Sequence, residues 1–369
     1  MMRVLYICNE DRAVGGASRS LADLLRSLEG EVEAVILVRE EGAVAEWFHS
    51  MGYEVIVVPF FRGTFNAKGL TRVLRYIPHA IHRFFVQRSC VKQVSRALEG
   101  RIDLVHSNSS SVDIGLEIAR KTGVPHVWHI REYLDLGLGM RPFPSWKSWK
   151  RKLEKSDSVI AISEGLFRHL SLDGRPNTFC IPDAVKSAGS VCLEPEKKPV
   201  ILFVSVILSP AKRPEEAVEI FHKAELPPEY RLLMLGKAPE ELKPILNVPG
   251  VELIETQVEL EKYYKEASAV LVCTPYEGMG RVSVEAMFYG CPVVARNSGG
   301  SADVLGNGRF GELYDTVEEG AAALRRVVEK LPLETLKAAG EEAAGNYSLE
   351  GYGPRIMEVY EKLCRKLVL

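Results

Sequence analysis

Hydrophobic positions along the first half of the chain follow two alternating periods. Apolar runs of four to seven residues, the length of buried strands, alternate with segments whose apolar residues recur every three or four positions, as on one helix face. The predicted strands are Val4–Cys8, Val32–Val38, Val55–Val58, Asp103–His106, His126–Ile130 and Val159–Ile162. The predicted helices are Ser18–Leu28, Val44–Met51 and Val112–Thr122. This alternation predicts an α/β fold with a doubly wound parallel sheet.

The same alternation restarts in the second half of the chain after a break. From Ala184 to Pro199 the pattern lapses into polar and proline-containing stretches typical of a linker. The predicted elements beyond it are the strands Val200–Val206, Arg231–Leu235 and Ala269–Cys273 and the helices Pro214–Ala224 and Glu259–Ala267. We therefore predict an amino-terminal domain over 1–185, a linker over 186–199 and a second domain over 200–347. The last segment, 348–369, is predicted as an amphipathic helix that packs back on the first domain.

Composition narrows the class of protein without naming it. The chain has 369 residues, more than usually fold around a single hydrophobic core, so two domains are expected. Its hydrophobic fraction of 46% is enough to form a core in each domain. A net charge of -2 does not indicate nucleic-acid binding. The seven cysteines include no C-x-x-C pair, which favours reduced thiols over disulfides or a zinc site. No apolar run reaches the roughly 20 residues of a membrane span, and no secretory pattern opens the chain. We therefore expect a cytoplasmic protein.

The most informative segment is Thr274–Val294, which holds a glycine-rich loop and two glutamates with seven residues between them. The loop, Gly278-Met279-Gly280, follows a predicted buried strand and precedes a predicted helix. Free N–H groups and the positive dipole end at a helix N-terminus favour an anion, and glycine lets a ligand approach closely. The segment therefore predicts a phosphate site. Glu277 and Glu285, about two turns apart, could bind hydroxyl groups at opposite ends of an extended ligand.

Other candidate residues follow other predicted strands. Gly15-Gly16 comes after the first strand, and Lys212 comes after the first strand of the second domain, where its charge could lie beside phosphate oxygens. Arg281 begins the helix after the glycine loop and has the same possibility. His106 and His129 stand at strand ends, where a structural histidine is the ordinary case, but the Trp-His-Ile-Arg-Glu context favours a functional His129. The alternative for the glycines and cations is a simple turn or a solvated surface.

At Glu277–Val294 the chain reads E-G-M-G-R-V-S-V-E-A-M-F-Y-G-C-P-V-V. This closely resembles the motif E-G-F-G-x-x-x-x-E-A-M-A-x-G-x-P-V-V of the family-four retaining glycosyltransferases. The resemblance covers nearly the full length and includes Gly15-Gly16-Ala17, His129, Ser156–Ser163, Lys212, Gly299-Gly300 and the final helix. It implies the GT-B fold: two Rossmann-like domains with doubly wound parallel sheets that face across a cleft, with a C-terminal helix crossing back to the first domain.

The resemblance also implies a set of site residues and a retaining glycosyltransferase activity. By similarity, Glu285 would bind the ribose hydroxyls of a nucleotide-diphosphate sugar. The implied catalytic residues are Glu277, which would bind the sugar hydroxyls, and His129, which would face the transferred sugar. The implied donor-binding residues are Gly15, Gly16, Lys212, Gly278, Met279, Gly280, Arg281, Val282 and Glu285. Lys212 and the amides of 280–282 would stabilise the leaving diphosphate.

The sequence also bears on the metal requirement of this activity, and it departs from the family pattern at two places. The sequence contains no Asp-x-Asp pair, so we expect no metal site and no cofactor beyond the sugar donor. Many family members carry Gly-Arg five to six residues before the lysine, whereas this chain has Val206-Ile207. One cation for the diphosphate is therefore missing, and we expect Arg281 partly to replace it. The stretch 182–185 resembles the family's Asn-Gly-Val with substitutions.

Two basic segments suggest where an acceptor is met. Residues 60–98 contain no acidic side chain, and basic residues are interleaved with apolar ones over 62–96. A second basic segment, 141–155, contains Trp146 and Trp149. Helices of this composition can lie on anionic membranes, although a solvated basic face is the alternative. A peripheral position at the inner face of a membrane would suit a lipid-linked saccharide acceptor or a polysaccharide precursor of the cell envelope.

Three alternative functions remain open at this stage. One is a sugar-nucleotide epimerase of the same architecture. Another is a phosphorylase, which would usually carry a lysine-bound pyridoxal phosphate that nothing in the sequence indicates. The third is a protein that binds a sugar nucleotide without transferring the sugar, as the missing Gly-Arg suggests.

Overall fold

The computed structural model describes residues 1–10, 14–65, 69–137, 139–193, 196–255, 259–330 and 333–365, with the backbone alone over 69–73. The chain divides into two compact units. The first comprises Met1–Ile162, Leu166–Asp183 and the chain from Tyr352 onward. The second comprises Ser163–Gly165 and Ala184–Gly351.

The first unit is built on a seven-stranded sheet in which every neighbouring pair is parallel. Its strands are β1 Met2–Ile7, β2 Val32–Val38, β3 Glu54–Val57, β4 Leu104–Ser107, β5 His126–Ile130, β6 Ser158–Ala161 and β7 Thr178–Cys180. Their order across the sheet is β3-β2-β1-β4-β5-β6-β7. Among the central strands, β4 and β5 are buried along their length and β1 is buried from Val4 onward, which explains their apolar runs.

Helices connect these strands. They are α1 Gly16–Ser27, α2 Ala43–Ser50, α3 Gly69–Leu98, α4 Gly115–Thr122, α5 Trp146–Glu154 and α6 Glu164–His169. The C-terminal part of α3 packs into the core through Cys90, Val94 and Leu98. The same core cluster contains buried residues of β1, β2 and α4. The prediction of alternating strands and helices is therefore confirmed for this half of the chain, and β7 is a strand that it missed.

The second unit contains a six-stranded parallel sheet of the same kind. Its strands are β8 Lys198–Ile207, β9 Arg231–Lys237, β10 Val251–Ile254, β11 Ala267–Val272, β12 Val293–Arg296 and β13 Glu312–Tyr314, in the order β10-β9-β8-β11-β12-β13. Its helices are α7 Pro214–Lys223, α8 Lys243–Leu246, α9 Glu261–Glu266, α10 Arg281–Phe288, α11 Gly300–Val304, α12 Val317–Glu329 and α13 Leu333–Asn346. Two Rossmann-like parallel-sheet units are thus confirmed.

The last helix, α14, spans Leu349–Arg365 and belongs to the first unit from Tyr352 onward. Its buried side chains include Tyr352, Ile356 and Tyr360. Gly353 allows a close approach to α1, since a Cβ there would lie 2.0 Å from the carbonyl oxygen of Ser27. The predicted return of the C-terminal helix to the first domain is therefore confirmed. Residues 366–369 of the predicted segment lie outside the described part of the chain.

Candidate functional site

The predicted glycine loop lies between β11 and α10, as its sequence suggests. Gly280 immediately precedes α10 and has φ 102°, a left-handed conformation that favours glycine. Tyr276 at the start of the loop has φ 60°. No side chain among the described residues caps α10, and no acidic residue occupies its first turn. The backbone N–H groups at the start of this helix therefore suit an anion.

A second glycine pair holds this loop in place. The backbone N–H of Gly300 donates a hydrogen bond of 2.7 Å to the carbonyl of Glu277. A Cβ on Gly299 would lie 2.7 Å from the Cα of Tyr276, and a Cβ on Gly300 would lie 2.5 Å from the Cα of Met279. Only glycine fits at either position, so the loops before α10 and α11 form one closely packed backbone layer.

Two serine hydroxyls behind Gly280 have no hydrogen-bond partner among the described residues. The side chains of Ser283 and Ser301 are fully buried, and their Oγ atoms are unpaired. A Cβ on Gly280 would lie 3.7 Å and 3.6 Å from these two oxygens. An unpaired buried hydroxyl is unfavourable, so both groups are available to a ligand or a water at the N-terminus of α10.

Lys212 and Glu277 form an ion pair beside the loop. Lys212 ends a short 3₁₀ turn, 210–212, just before α7, and its Nζ lies 2.6 Å from Oε1 of Glu277. Burial opposes ionisation of Glu277, but the Lys212 charge and hydrogen bond outweigh it and hold the pKa of the carboxyl below its ordinary value. The structure therefore brings together the predicted phosphate-binding lysine and the predicted sugar-binding carboxylate, whose charged form the lysine favours.

Glu285, the second glutamate of the motif, accepts a hydrogen bond from a buried tyrosine. The hydroxyl of Tyr264, on α9, donates a hydrogen bond of 3.0 Å to Oε2 of Glu285. Tyr264 is fully buried, and burial followed by the neighbouring Glu285 charge raises its pKa well above the ordinary value. The tyrosine therefore remains a hydrogen-bond donor at any physiological pH.

Arg281 is tied to the backbone at the start of the second unit. Its Nη1 donates a hydrogen bond of 3.1 Å to the carbonyl of Ala184. The side chain is half-buried. At the end of β8, Val206 and Ile207 are 40% and 49% exposed, so the position of the family's Gly-Arg presents apolar surface. That Arg281 replaces the missing cation stays a prediction, as does the role of the Val282 amide beside it.

In the first unit, the glycines after β1 are bound by an acidic side chain. The Glu10 carboxylate accepts hydrogen bonds from the N–H of Gly15 at 3.1 Å and the N–H of Ser18 at 2.8 Å, and from the Ser18 hydroxyl. A Cβ on Gly15 would lie 2.2 Å from Oε1 of Glu10, whereas one on Gly16 would meet nothing. A phosphate at the predicted Gly15-Gly16 site would have to displace this carboxylate.

His129 lies inside a buried hydrogen-bond chain at the end of β5. Its Nδ1 is 3.2 Å from Nε2 of His106 and 3.2 Å from Nη2 of Arg131. Because a guanidinium only donates, His129 accepts at Nδ1 and carries its proton on Nε2. His106 then donates from Nε2, and its Nδ1 lies 2.7 Å from the hydroxyl of Tyr360. Burial lowers the pKa of both histidines well below the ordinary value, so both are neutral.

The last donor of this hydrogen-bond chain is the Nε2–H group of His129. Nε2 is buried and has no hydrogen-bond partner among the described residues, and Oδ1 of Asp183 lies 4.0 Å from it. Asp183 is instead bonded to Arg131 and, at 3.0 Å, to the hydroxyl of Tyr352. The predicted catalytic role of His129 therefore depends on this one donor, and the ring is fully buried.

Arg131 and Glu132 do not have each other as their main partners. Arg131 pairs with Asp183, while Glu132 accepts a hydrogen bond of 2.5 Å from the hydroxyl of Ser109. Burial raises the pKa of Glu132. Glu10, Asp183 and Tyr264 were not among the predicted site residues. An acidic residue between a strand and a glycine-led helix was a usable signal for Glu10, but Tyr264 looks like any apolar helix residue.

The two basic segments differ in their surroundings. On α3, large apolar side chains point to solvent: Leu74 67%, Ile77 68%, Ile81 54%, Phe84 53% and Phe85 64% exposed. In the second segment Trp149 is only 2% exposed, and its Nε1 donates to the carbonyl of Ser110 at 3.0 Å. Trp149 is therefore a core residue. Lys68 and the side chain of Arg72, which belong to the first segment, lie outside the described residues.

Sequence families identify the two halves. The family described as Glycosyl transferase 4-like domain matches residues 15–180, and the family described as Glycosyl transferases group 1 matches residues 190–345, which contain both glutamates of the motif. Each half of the chain therefore matches a glycosyl transferase family model, and residues 190–345 match the group 1 family. Within the described residues of this chain, no helix has the length and apolar character to cross a membrane, and no cluster of His, Cys, Asp or Glu side chains could hold a metal ion.

Individual relatives agree with this family and with the fold. The protein named "Probable sucrose-phosphate synthase" in Thermosipho melanesiensis is 30% identical over 182 residues, which are 45% of this chain and 42% of that protein. A D-inositol 3-phosphate glycosyltransferase of Rhodococcus jostii is 27% identical over 73% of this chain and 68% of its own. The crystal structure of Anabaena HepE with UDP and glucose superposes with a TM-score of 0.74 at 18% identity, covering 98% of this chain and 100% of HepE. The chain thus spans less than half of the first relative.

Proposed function

We propose that this protein is a retaining glycosyltransferase that moves a hexose-type sugar from a nucleotide-diphosphate donor to a saccharide or lipid-linked acceptor without a metal ion. The observation that carries the proposal is the arrangement around Gly280 in the second unit. There the Lys212–Glu277 ion pair and the uncapped N-terminus of α10 adjoin one glycine-built backbone layer, and Glu285 lies on the same helix.

The chemistry that such a site supports is stabilisation of a leaving diphosphate. When the bond from the sugar to the donor phosphate breaks, negative charge grows on the diphosphate. Lys212 and the first-turn amides of α10 are fixed donors for that charge, and Arg281 is a candidate for a third. Glu277 and Glu285 would hold the hydroxyls of the sugar and the ribose. His129 would donate a hydrogen bond from its Nε2–H group to the transferred sugar.

A donor panel tests the first half of this proposal. Thermal unfolding would be measured with UDP, GDP, ADP and their common sugar conjugates. UDP comes first because the Anabaena structure contains it. A ligand at a hundredfold excess over its dissociation constant stabilises the folded state by about 2.7 kcal/mol. One nucleotide should stabilise the wild type and should stabilise Glu285→Ala clearly less at the same concentration, because that variant binds it more weakly. No shift with any nucleotide would contradict the proposal.

Measurements of turnover test whether the protein transfers the sugar. They distinguish a transferase from a protein that only binds the sugar nucleotide. Val206 and Ile207, in place of the family's Gly-Arg, favour a protein that binds a sugar nucleotide without transferring the sugar. A transferase should release the nucleoside diphosphate from its donor, slowly to water and faster to an acceptor, whereas a binder releases none. NMR of the first-formed product reports whether the anomeric configuration is retained. Equal rates with and without a chelator would support the metal-independent reading.

The exposed face of α3 supports a proposal about the acceptor side. Leu74, Ile77, Ile81, Phe84 and Phe85 recur at helical spacing on one side, and Cys90, Val94 and Leu98 on another side are core residues. Exposed basic residues accompany the apolar face: Arg75, Arg88, Lys92 and Arg96. An apolar stripe flanked by cations suits an anionic bilayer surface, where each cation adds about 1 kcal/mol. We therefore expect a lipid-linked or membrane-proximal acceptor.

Vesicle sedimentation tests the membrane contact. Wild type should sediment with vesicles containing phosphatidylglycerol and remain in solution with pure phosphatidylcholine. Phe84→Ser together with Phe85→Ser should abolish sedimentation. The matched control replaces two comparably exposed apolar residues of the second unit, Ile245 and Leu333, with serine and should leave it unchanged. Equal sedimentation of both double variants would refute the assignment to α3.

A further inference from the structure

Two neighbouring tyrosines of the second unit have the same chemistry but different partners. The rings of Tyr264 and Tyr289 are stacked, with centroids 6.2 Å apart and an interplanar angle of 17°. The Tyr264 hydroxyl donates to Glu285 at 3.0 Å, and the Tyr289 hydroxyl donates to Glu261 at 3.1 Å. Glu285 belongs to the proposed donor site, whereas Glu261 lies at the start of α9 and pairs with a lysine on the same helix. Loss of the Tyr264 hydroxyl can therefore be compared with loss of the Tyr289 hydroxyl, which is bonded to a glutamate outside the proposed donor site.

The contact with Tyr264 limits how the Glu285 side chain can be arranged. Tyr264 is fully buried and packed in a stack, so its hydroxyl has a fixed position. A carboxylate is an acceptor only, and a buried tyrosine hydroxyl needs an acceptor. The two groups therefore satisfy each other through Oε2. In the part of the chain that the structure describes, Oε1 has no recorded partner and remains for a ligand. A half-buried glutamate without such an anchor would sample several rotamers.

We propose that Tyr264 is a positioning residue that sets the Glu285 carboxylate for the two ribose hydroxyls of the donor, and so determines selectivity for ribonucleotides over 2′-deoxyribonucleotides. This inference rests on the proposed function, because it assumes that Glu285 binds the ribose. A carboxylate held at one oxygen can accept from a vicinal diol in one geometry, whereas a free one adapts to a single hydroxyl as well. Preorganisation therefore favours the diol over the 2′-deoxy sugar.

The experiment compares the affinities of UDP and 2′-deoxy-UDP by isothermal titration calorimetry, with the GDP and ADP pairs used if UDP does not bind. The variants are Tyr264→Phe and, as the matched control, Tyr289→Phe; each removes one hydroxyl from the same stack. Wild type and Y289F should prefer the ribonucleotide by at least tenfold. Y264F should lose most of that preference while its affinity for inorganic pyrophosphate stays unchanged. Circular dichroism verifies that each variant folds.

The same affinities would also be measured in the Glu285→Ala variant, with and without Tyr264→Phe. In Glu285→Ala the preference should already be lost, and adding Tyr264→Phe should change it no further. An additional loss would mean that the tyrosine acts by another route, and a preference retained by Y264F would mean that it does not position the carboxylate; either overturns the inference. Failure of the proposed function has a different signature, because the wild type itself would then bind no nucleotide or show no preference.

Discussion

The ammonium of Lys212 and the carboxylate of Glu277 lie 2.6 Å apart although 65 residues separate them in the chain. Each is assigned to a different part of the donor, the lysine to the diphosphate and the glutamate to the sugar. Under the proposed function, donor binding would therefore exchange one partner for another on both side chains. Release of products would let the pair form again.

Replacing Lys212 with glutamine should therefore affect catalysis more than binding. Loss of the ammonium removes a donor to the leaving diphosphate and leaves the Glu277 carboxylate without its partner. We expect kcat/KM to fall by about 10²- to 10³-fold, mostly through kcat, as for loss of one preorganised donor to developing charge. Steady-state kinetics with the identified donor measures this. The control is Arg213→Gln, at the residue that follows Lys212 in the chain. It removes a different cation, a guanidinium that is hydrogen-bonded to Glu216. A K212Q rate within threefold of wild type would contradict the assignment.

The contact between Glu10 and Gly15 predicts coupled effects on stability. Glu10→Ala removes an acceptor for two backbone N–H groups at the start of α1 and should lower the free energy of unfolding by about 1 kcal/mol. Gly15→Ala alone should lower it by a similar amount, because the new Cβ would lie 2.2 Å from the Glu10 carboxylate oxygen and would displace that flexible side chain from its hydrogen bonds. Gly15 has φ -98°, so its backbone conformation by itself accepts alanine.

In the double variant, the Gly15→Ala penalty should largely disappear, because the obstructing carboxylate is gone. Urea unfolding of the four proteins gives the coupling energy directly. Additive effects would show that Glu10 is not the reason for glycine at this position. Gly16→Ala, which introduces a Cβ into open space, is the matched control and should be close to neutral.

Three buried histidines of the first unit predict how stability depends on pH. Burial is the largest cause that lowers the pKa of His106 and His129 well below 6.5 and that of His126 to about 3. Below pH 6.5 the unfolded chain therefore binds protons that the folded chain does not. The stabilisation is complete above pH 6.5 and is lost as pH falls toward the folded-state values, by about 1.4 kcal/mol per pH unit for each group.

Unfolding free energies measured between pH 8 and pH 5 should show this decline. His126→Asn should reduce the slope below pH 6.5, whereas His82→Gln, a change at an exposed histidine of α3, should leave it unchanged. A pH-independent free energy over this range would show that the histidines bind protons equally in the folded and unfolded states.

The unpaired hydroxyls of Ser283 and Ser301 predict opposite effects on stability and binding. Each alanine variant removes a buried hydroxyl that has no partner among the described residues, so the free protein should be equally stable or slightly more stable. Affinity for the nucleoside diphosphate should nevertheless fall by about tenfold, the equivalent of one neutral hydrogen bond. Urea unfolding and calorimetric titration measure the two effects. Variants that bind as tightly as wild type would show that the hydroxyls serve an internal water instead.

Much of this protein follows from local sequence. Apolar runs and helical spacing predict both parallel sheets, because buried strands and amphipathic helices have distinct periods. The glycine loop and its two glutamates are contiguous, so their place between β11 and α10 is also readable from the chain. Shorter strands such as β7 and β13, each three residues long, escape because three residues show no period.

Contacts between distant segments were decided only by the tertiary structure. Tyr264 has the pattern of an ordinary core residue, and its role depends on where α9 and α10 come to lie. Trp146 and Trp149 look alike in sequence, yet the second is buried against Ser110. The partners of Arg131 and Lys212 lie 52 and 65 residues away. Sequence patterns report which face of an element is buried, whereas hydrogen-bond and ion-pair partners depend on packing between elements, which local periodicity does not encode.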